Sequence, residues 1–235
     1  GGGVTAIVIG HQASGVAEQA IQHGADDALL VDDAACKDYR PETFASALTR
    51  VVQSKSLDLV LFPTTGRTRE MAAMSAVDLE TGIVPDVLAL EAKDGRVVAT
   101  RPIYAGKLLT RVVFEGRRPQ FLLVRSRVFA QPAPDASRKG TVTKVDGVEF
   151  KPLSEVAGYK ASDGGVSLTD AAIIVSGGRG VSNNALTPPG SVTDEKQKEI
   201  WKAQQGFNLI RELAGALGAA VGARRAAVAA GYVPD

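Results

Sequence analysis

The residues best placed to do chemistry lie in the last third of the chain. A short apolar run, 172–175, leads straight into Ser176-Gly177-Gly178-Arg179-Gly180. Glycines after a buried strand let a ligand approach the backbone, and successive N–H groups can form an anion-binding concavity. Arg179 would add a bidentate partner for phosphate. The spacing matches neither G-x-G-x-x-G nor G-x-x-x-x-G-K-[ST], and a tight turn carrying an exposed arginine has the same residues. Arg224-Arg225 follows a second short run, 219–222. That is the carboxyl edge, where open α/β sheets place ligands. A guanidinium there can pair with phosphate or lie against a planar ring; the alternative is two solvated arginines at a strand end.

A third feature is regional. Between residues 96 and 127 stand Arg96, Arg101, Lys107, Arg111, Arg117, Arg118, Arg125 and Arg127 against one acid, Glu115, a local charge of +7 in a chain of net +1. Such a face can dock an acidic partner, or it can be the solvated side of a half-exposed sheet. His11 and His23 have no companion ligands, and Cys36 has no CxxC partner, so these are read as structural or solvent-facing. Asp26-Asp27 and Asp32-Asp33 read as loop charges.

The elements that must position these residues fall into two patterns. Runs at 4–9, 28–31 and 57–62 read as buried strands, alternating with helices at 15–23, around 44–52 and at 66–80. Phe44, Ala47, Leu48, Val51 and Val52 share one helical face, with Pro41 in the first turn. Strand–helix alternation implies crossovers and a parallel sheet. From Pro85 onward, runs at 86–90, 97–103, 108–114 and 121–128 are separated by Asp94-Gly95, Ala105-Gly106 and Glu115-Gly116, which reads as an antiparallel meander extending the same sheet. A further strand is expected at 142–150. After a loose stretch a new strand–helix–strand unit begins. Its helix carries Ile200, Ala203, Phe207, Ile210, Leu213 and Leu217 at spacings of three and four, with Gly218 as the stop. The expected fold is α/β, with an N-terminal domain at 1–150, a linker at 151–170, and the incomplete start of a doubly wound domain at 171–235.

Composition removes several function classes. With 235 residues, 45% hydrophobic and 23% charged, the chain can bury a core. Twelve aromatics (Phe 7, Tyr 4, Trp 1) argue against a base-stacking single-strand binder, and +1 argues against global attraction to nucleic acid. Two histidines and one cysteine cannot build a Cys/His zinc site or a disulfide framework, so no metal is expected. No apolar run approaches the roughly 18 residues of a membrane span, and no signal peptide is visible. The expected setting is a reducing compartment: cytoplasm, or mitochondrial matrix in a eukaryote.

The order of these pieces resembles the alpha subunit of the electron transfer flavoproteins. The resemblance is carried by Gly24-Ala25-Asp26, Asp58-Leu59-Val60-Leu61-Phe62-Pro63, Gly66-Arg67, Thr81-Gly82 and Arg101-Pro102-Ile103-Tyr104-Ala105-Gly106-Lys107. It continues through 119–129 with Arg125, 174–180, 218–228 and Ala230-Gly231-Tyr232-Val233-Pro234. It implies a nucleotide-binding-like first domain, a second domain holding FAD, and a beta subunit completing a heterodimer that exchanges electrons with dehydrogenases. By the same resemblance Arg225 lies against the flavin ring, where its charge favours the reduced, anionic forms. Arg224 stands where the family usually has serine, and Ser176, Gly177, Gly178, Arg179 and Gly180 lie near the ligand edge. The family pattern usually has a strand and helix before Val4 and continues past Asp235 into a Gln/Gly/Thr-rich flavin loop; the stretch 181–205 is a long insert. The chain is therefore expected to be a fragment, or one completed by parts supplied elsewhere.

The resemblance implies a redox carrier rather than an enzyme in its own right. A bifurcating subunit coupled to NADH oxidation is the alternative within the family. An adenine-nucleotide module would need a phosphate loop, for which Gly10-His11-Gln12-Ala13-Ser14-Gly15 is the only candidate. A scaffold docking through the basic meander would bind in a salt-sensitive way with no cofactor.

Overall fold

The computed structural model describes residues 2–116, 118–159, 168 and 171–233. Arg117, half of the expected linker and Pro234 lie outside the described residues. The chain forms two compact units, Gly1–Gly158 and Tyr159–Asp235.

The first unit opens with β1 (Thr5–Gly10), α1 (Ser14–Gln22), β2 (Asp27–Asp32), α2 (Pro41–Ser54), β3 (Leu59–Pro63) and α3 (Gly66–Asp78). β2 explains the layering. Its four consecutive apolar residues are all buried, as a strand covered on both faces requires. Ala28 and Leu30 pack with Ala17 and Ile21 of α1, whereas Leu29 and Val31 pack with Ala47 and Val51 of α2. α2 begins as its sequence dictates, with Pro41 in the first turn after an extended Arg40. α3 is fixed by a capping box in which Thr65 and Thr68 each accept the other's backbone N–H. Small residues let α2 and α3 come close: the buried Ser75 hydroxyl donates to the Ala45 carbonyl at 3.1 Å.

Five more strands follow: β4 (Ile83–Val87), β5 (Ala89–Lys93), β6 (Arg96–Ile103), β7 (Leu108–Val113) and β8 (Gln120–Val124); then comes β9 (Thr141–Lys144). The sheets are β1-β2-β9 and β3-β8-β4, both parallel, and β5-β6-β7, antiparallel. The expected meander is thus a three-stranded sheet of its own. The fourth run assigned to it is instead β8, the central strand between β3 and β4. The reason is burial: Phe121, Leu122 and Leu123 are all inaccessible, which an outer meander strand cannot offer. Phe121 and Leu123 join the core under α2 and α3, while Leu122 packs with Val84, Val87 and Ala99 on the other side. β9 ends earlier than expected and runs parallel to β2.

The second unit contains β10 (Ile174–Gly177), a 3-10 turn (Arg179–Ser182), α4 (Glu195–Leu217), β11 (Ala220–Ala223) and α5 (Arg225–Ala229). Asp194 caps α4 by accepting the Gln197 N–H at 2.9 Å, and Gly218 ends it at φ +60°. Ala203 and Phe207 are fully buried with Ala227 and Tyr232. Farther along the expected stripe, Leu213 and Leu217 are exposed, as is Leu209.

Candidate functional site

β10 and β11 run parallel, with Ser176 opposite Gly222 and Gly177 opposite Ala223. The Arg224 N–H donates to the Gly177 carbonyl at 3.0 Å, extending the ladder one step past the strand end. The two segments singled out in the sequence therefore meet at one carboxyl edge. Ser176, Arg179, Gly180, Arg224 and Arg225 are exposed there, and Gly178 is half-buried.

The glycines do different jobs. A Cβ on Gly177 would stand 2.5 Å from Ile210 Cδ1 and 2.7 Å from Phe207 Cε1, so this glycine lets α4 pack onto β10. A Cβ on Gly178 would stand 3.5 Å from Arg224 Cδ, which places the arginine stem beside it. Nothing lies within 4 Å of the Cβ position of Gly180. A glycine the motifs did not flag is Gly206: a Cβ there would meet the Val181 carbonyl oxygen at 2.5 Å, so the turn after the motif sits directly on α4. Asn184 holds the same turn by donating to the carbonyls of Val181 (3.0 Å) and Lys202 (2.8 Å). Behind it, the buried Tyr232 hydroxyl donates to Glu199.

No acid pairs with Arg179, Arg224 or Arg225 among the described residues. Three permanent cations with free forks around an open glycine turn suit a polyanionic group such as a diphosphate.

The basic meander is different. Arg111 pairs with Glu91 at 2.6 Å, Arg118 with Asp58, and Arg125 with Asp86 through two 2.8 Å bonds. All three acids lie outside the 96–127 window, which is why the window's +7 overstates the charge of this region. The Arg125 hydrogen bond holds the Asp86 carboxyl below the ordinary range against the opposing effect of burial. Asp86 had no signal in the sequence, standing 39 residues from its partner.

The His23 ring faces the Pro132 carbonyl at 3.0 Å, and the Cys36 thiol is pushed up to about 11, chiefly by burial and then by Asp33. In the 10–15 loop the Gln12 N–H is spent on the Asp32 carboxylate at 2.6 Å. No helix among the described residues is long and apolar enough to cross a membrane.

Comparison with known proteins adds the following. Residues 1–149 match the model of the electron transfer flavoprotein domain. Over 234 residues, 98% of this chain and 65% of the relative, the sequence is 32% identical to the electron transfer flavoprotein subunit alpha of Bacillus subtilis. It is 33% identical to protein FixB of Azotobacter vinelandii over 99% of this chain and 61% of the relative. It is 27% identical to the lactate dehydrogenase (NAD(+),ferredoxin) subunit LctC of Acetobacterium woodii over 97% and 51%. The chain thus spans less than two thirds of the length of these curated relatives.

Proposed function

The chain belongs to the electron transfer flavoprotein family, and from that premise we propose that it serves as an alpha-type subunit. In this reading it pairs with a beta subunit and carries electrons through FAD between dehydrogenases, such as acyl-CoA dehydrogenases, and an acceptor. The observation that supports this most directly is the convergence of Ser176, Gly178, Arg179 and Gly180 with Arg224 and Arg225 at one strand edge, with no acid paired to the three guanidiniums among the described residues.

FAD, when bound, supplies the redox chemistry, and the protein supplies position and charge. Arg179 and Arg224 would hold the diphosphate side of the edge, with the Ser176 hydroxyl and the open backbone at Gly180 available to it. Arg225, permanently charged, would stand beside the ring system and favour a negatively charged ring over a neutral one. Gly177 and Gly206 contribute indirectly by seating the turn on α4.

The protein purified with its beta subunit should be yellow, and Arg225→Ala should weaken FAD binding about tenfold, equivalent to about 1.4 kcal/mol, and lower the flavin's potential. A complex that stays colourless after incubation with FAD would overturn the reading. The similarity to a subunit named for NAD(+) and ferredoxin supports a second possibility, a bifurcating complex with two flavins; counting flavins per heterodimer separates the two.

A further inference from the structure

The first unit has a cavity of its own that the flavin reading does not use. It measures about 660 Å³ and is lined by Asp86, Leu88, Arg101, Tyr104, Leu109 and Arg125, among others. Asp86 comes from the end of β4, Arg125 directly follows β8, and Arg101 lies on β6. The cavity therefore opens where two parallel strands end, with the β6–β7 hairpin as its other wall.

Its charges are unequal. Asp86 is the one carboxylate in the lining, and both its oxygens are occupied by Arg125 Nε and Nη2 at 2.8 Å. The charges of Arg69 and Arg101 also act on this carboxylate, so the local balance is positive. Arg101 Nε is buried and has no hydrogen-bond partner among the described residues. A guanidinium cannot shed its proton, so Arg101 stays charged in the cavity wall whether or not a counter-ion is present. The other walls are apolar: Leu88, Pro102, Ile103 and Leu109. Tyr104, strongly exposed at the rim, sits at φ +50° beside Ala105 at φ +54°, a turn held in the left-handed region without glycine at either position. Asp86 shares that conformation at φ +63°.

We propose that this cavity binds a small organic oxyanion, a phosphate monoester or carboxylate on an apolar body, with Arg101 as its charged anchor. Asp86 does not repel such a ligand because Arg125 neutralises it. The volume falls within the 300–1,000 Å³ or so of small-molecule sites, and the apolar walls take the body of the ligand.

The test reads the Arg101 side chain itself, because the arginines of the second unit could take the same probes. In nuclear magnetic resonance of the arginine Nε–H groups of the whole chain, phenyl phosphate, benzoate and inorganic phosphate are titrated at constant ionic strength. A saturable shift of the Arg101 resonance is expected with phenyl phosphate or benzoate, whichever oxyanion the site prefers, and inorganic phosphate should bind at least about tenfold more weakly. Arg101→Gln should weaken the preferred probe about tenfold, and Arg101→Lys should restore part of the loss. No saturable shift in the wild-type protein overturns the site, even if neither variant folds. Undiminished binding by Arg101→Gln overturns the anchor, and equal binding of inorganic phosphate overturns the apolar body. A colourless flavin complex would leave all of these readouts intact.

Discussion

Arg125 and Arg224 occupy matching places in the two units. Each directly follows a parallel strand, β8 or β11, and each donates its backbone N–H across to the neighbouring strand. Arg125 gives to Val87 at 2.9 Å and Arg224 to Gly177 at 3.0 Å. What differs is the residue before the acceptor. In the first unit it is Asp86, which takes the guanidinium in a bidentate pair; in the second it is Ser176, and no acid pairs with Arg224 among the described residues. An arginine after a strand is therefore not in itself a ligand site. Its availability is decided by one side chain on the adjacent strand, and the two units made opposite choices.

If the units are as separate as their cores imply, core damage should stay local. Phe121 and Phe207 are both fully buried, one under α2 and α3, the other under the β10 edge and α5. Phe121→Ala and Phe207→Ala should each cost about 3–5 kcal/mol. Hydrogen exchange resolved by residue should show protection lost in the first unit for one variant and in the second for the other. Loss in both units from either substitution would break the comparison.

The exchange of Asp86 and Ser176 tests the comparison directly. Ser176→Asp places a carboxylate beside the freed arginines, and FAD affinity of the heterodimer should fall about tenfold or more, roughly 1.4 kcal/mol. Ser176→Asn, similar in shape and uncharged, should lose much less. Fluorescence titration of the apo complex measures both. Equal losses would mean that shape rather than charge governs this position.

A smaller effect separates the chain segment after β9 from the linker expected at 151–170. Glu42, on the first turn of α2, accepts the Ser154 hydroxyl at 2.6 Å and the N–H groups of Ser154 and Leu153 at 3.0 and 3.1 Å. Its carboxyl is held at about 2, chiefly by the Ser154 hydroxyl. The folded value is depressed from 4.5, so this tether stabilises above about pH 4.5 and is lost as pH falls toward 2. Proteolysis near residues 153 and 154 should accelerate over that window, followed with an acid-active protease. Glu42→Gln should be cut readily at pH 7 and show a flatter pH profile.

How much of this was legible follows from the range of each interaction. α2 could be read from its apolar spacing and Pro41, and the stop of α4 from Gly218, because those signals are local. The convergence of residues 176–180 with Arg224 and Arg225 was legible because two short strands joined by one helix pair in parallel by default. β8 was not, since a run such as Phe121-Leu122-Leu123 looks the same in a meander or a sheet centre until its neighbours are known. The pairing of Asp86 with Arg125 likewise depends on β4 and β8 becoming adjacent. The packing role of Gly177 was hidden behind its reading as a phosphate-loop glycine, because both uses require the same missing Cβ.

The smallest expected effect concerns a charge pair that resembles Asp86–Arg125 on paper. Glu91 of β5 reaches Arg111 of β7 at 2.6 Å across the middle strand β6, but both side chains are more than half exposed. Water competes for each partner there, and ordering two long side chains offsets most of the attraction, so the pair should contribute no more than about 0.5 kcal/mol. Glu91→Gln should shift the denaturation midpoint barely, and the shift should vanish at high salt. Asp86→Asn provides the contrast, because it leaves Arg125 without its bidentate counter-charge, and its effect should persist in salt. If the two substitutions showed the same salt dependence, the Asp86 pair would be a surface ornament like Glu91–Arg111. The contrast drawn between the two strand edges would then rest on Ser176 alone.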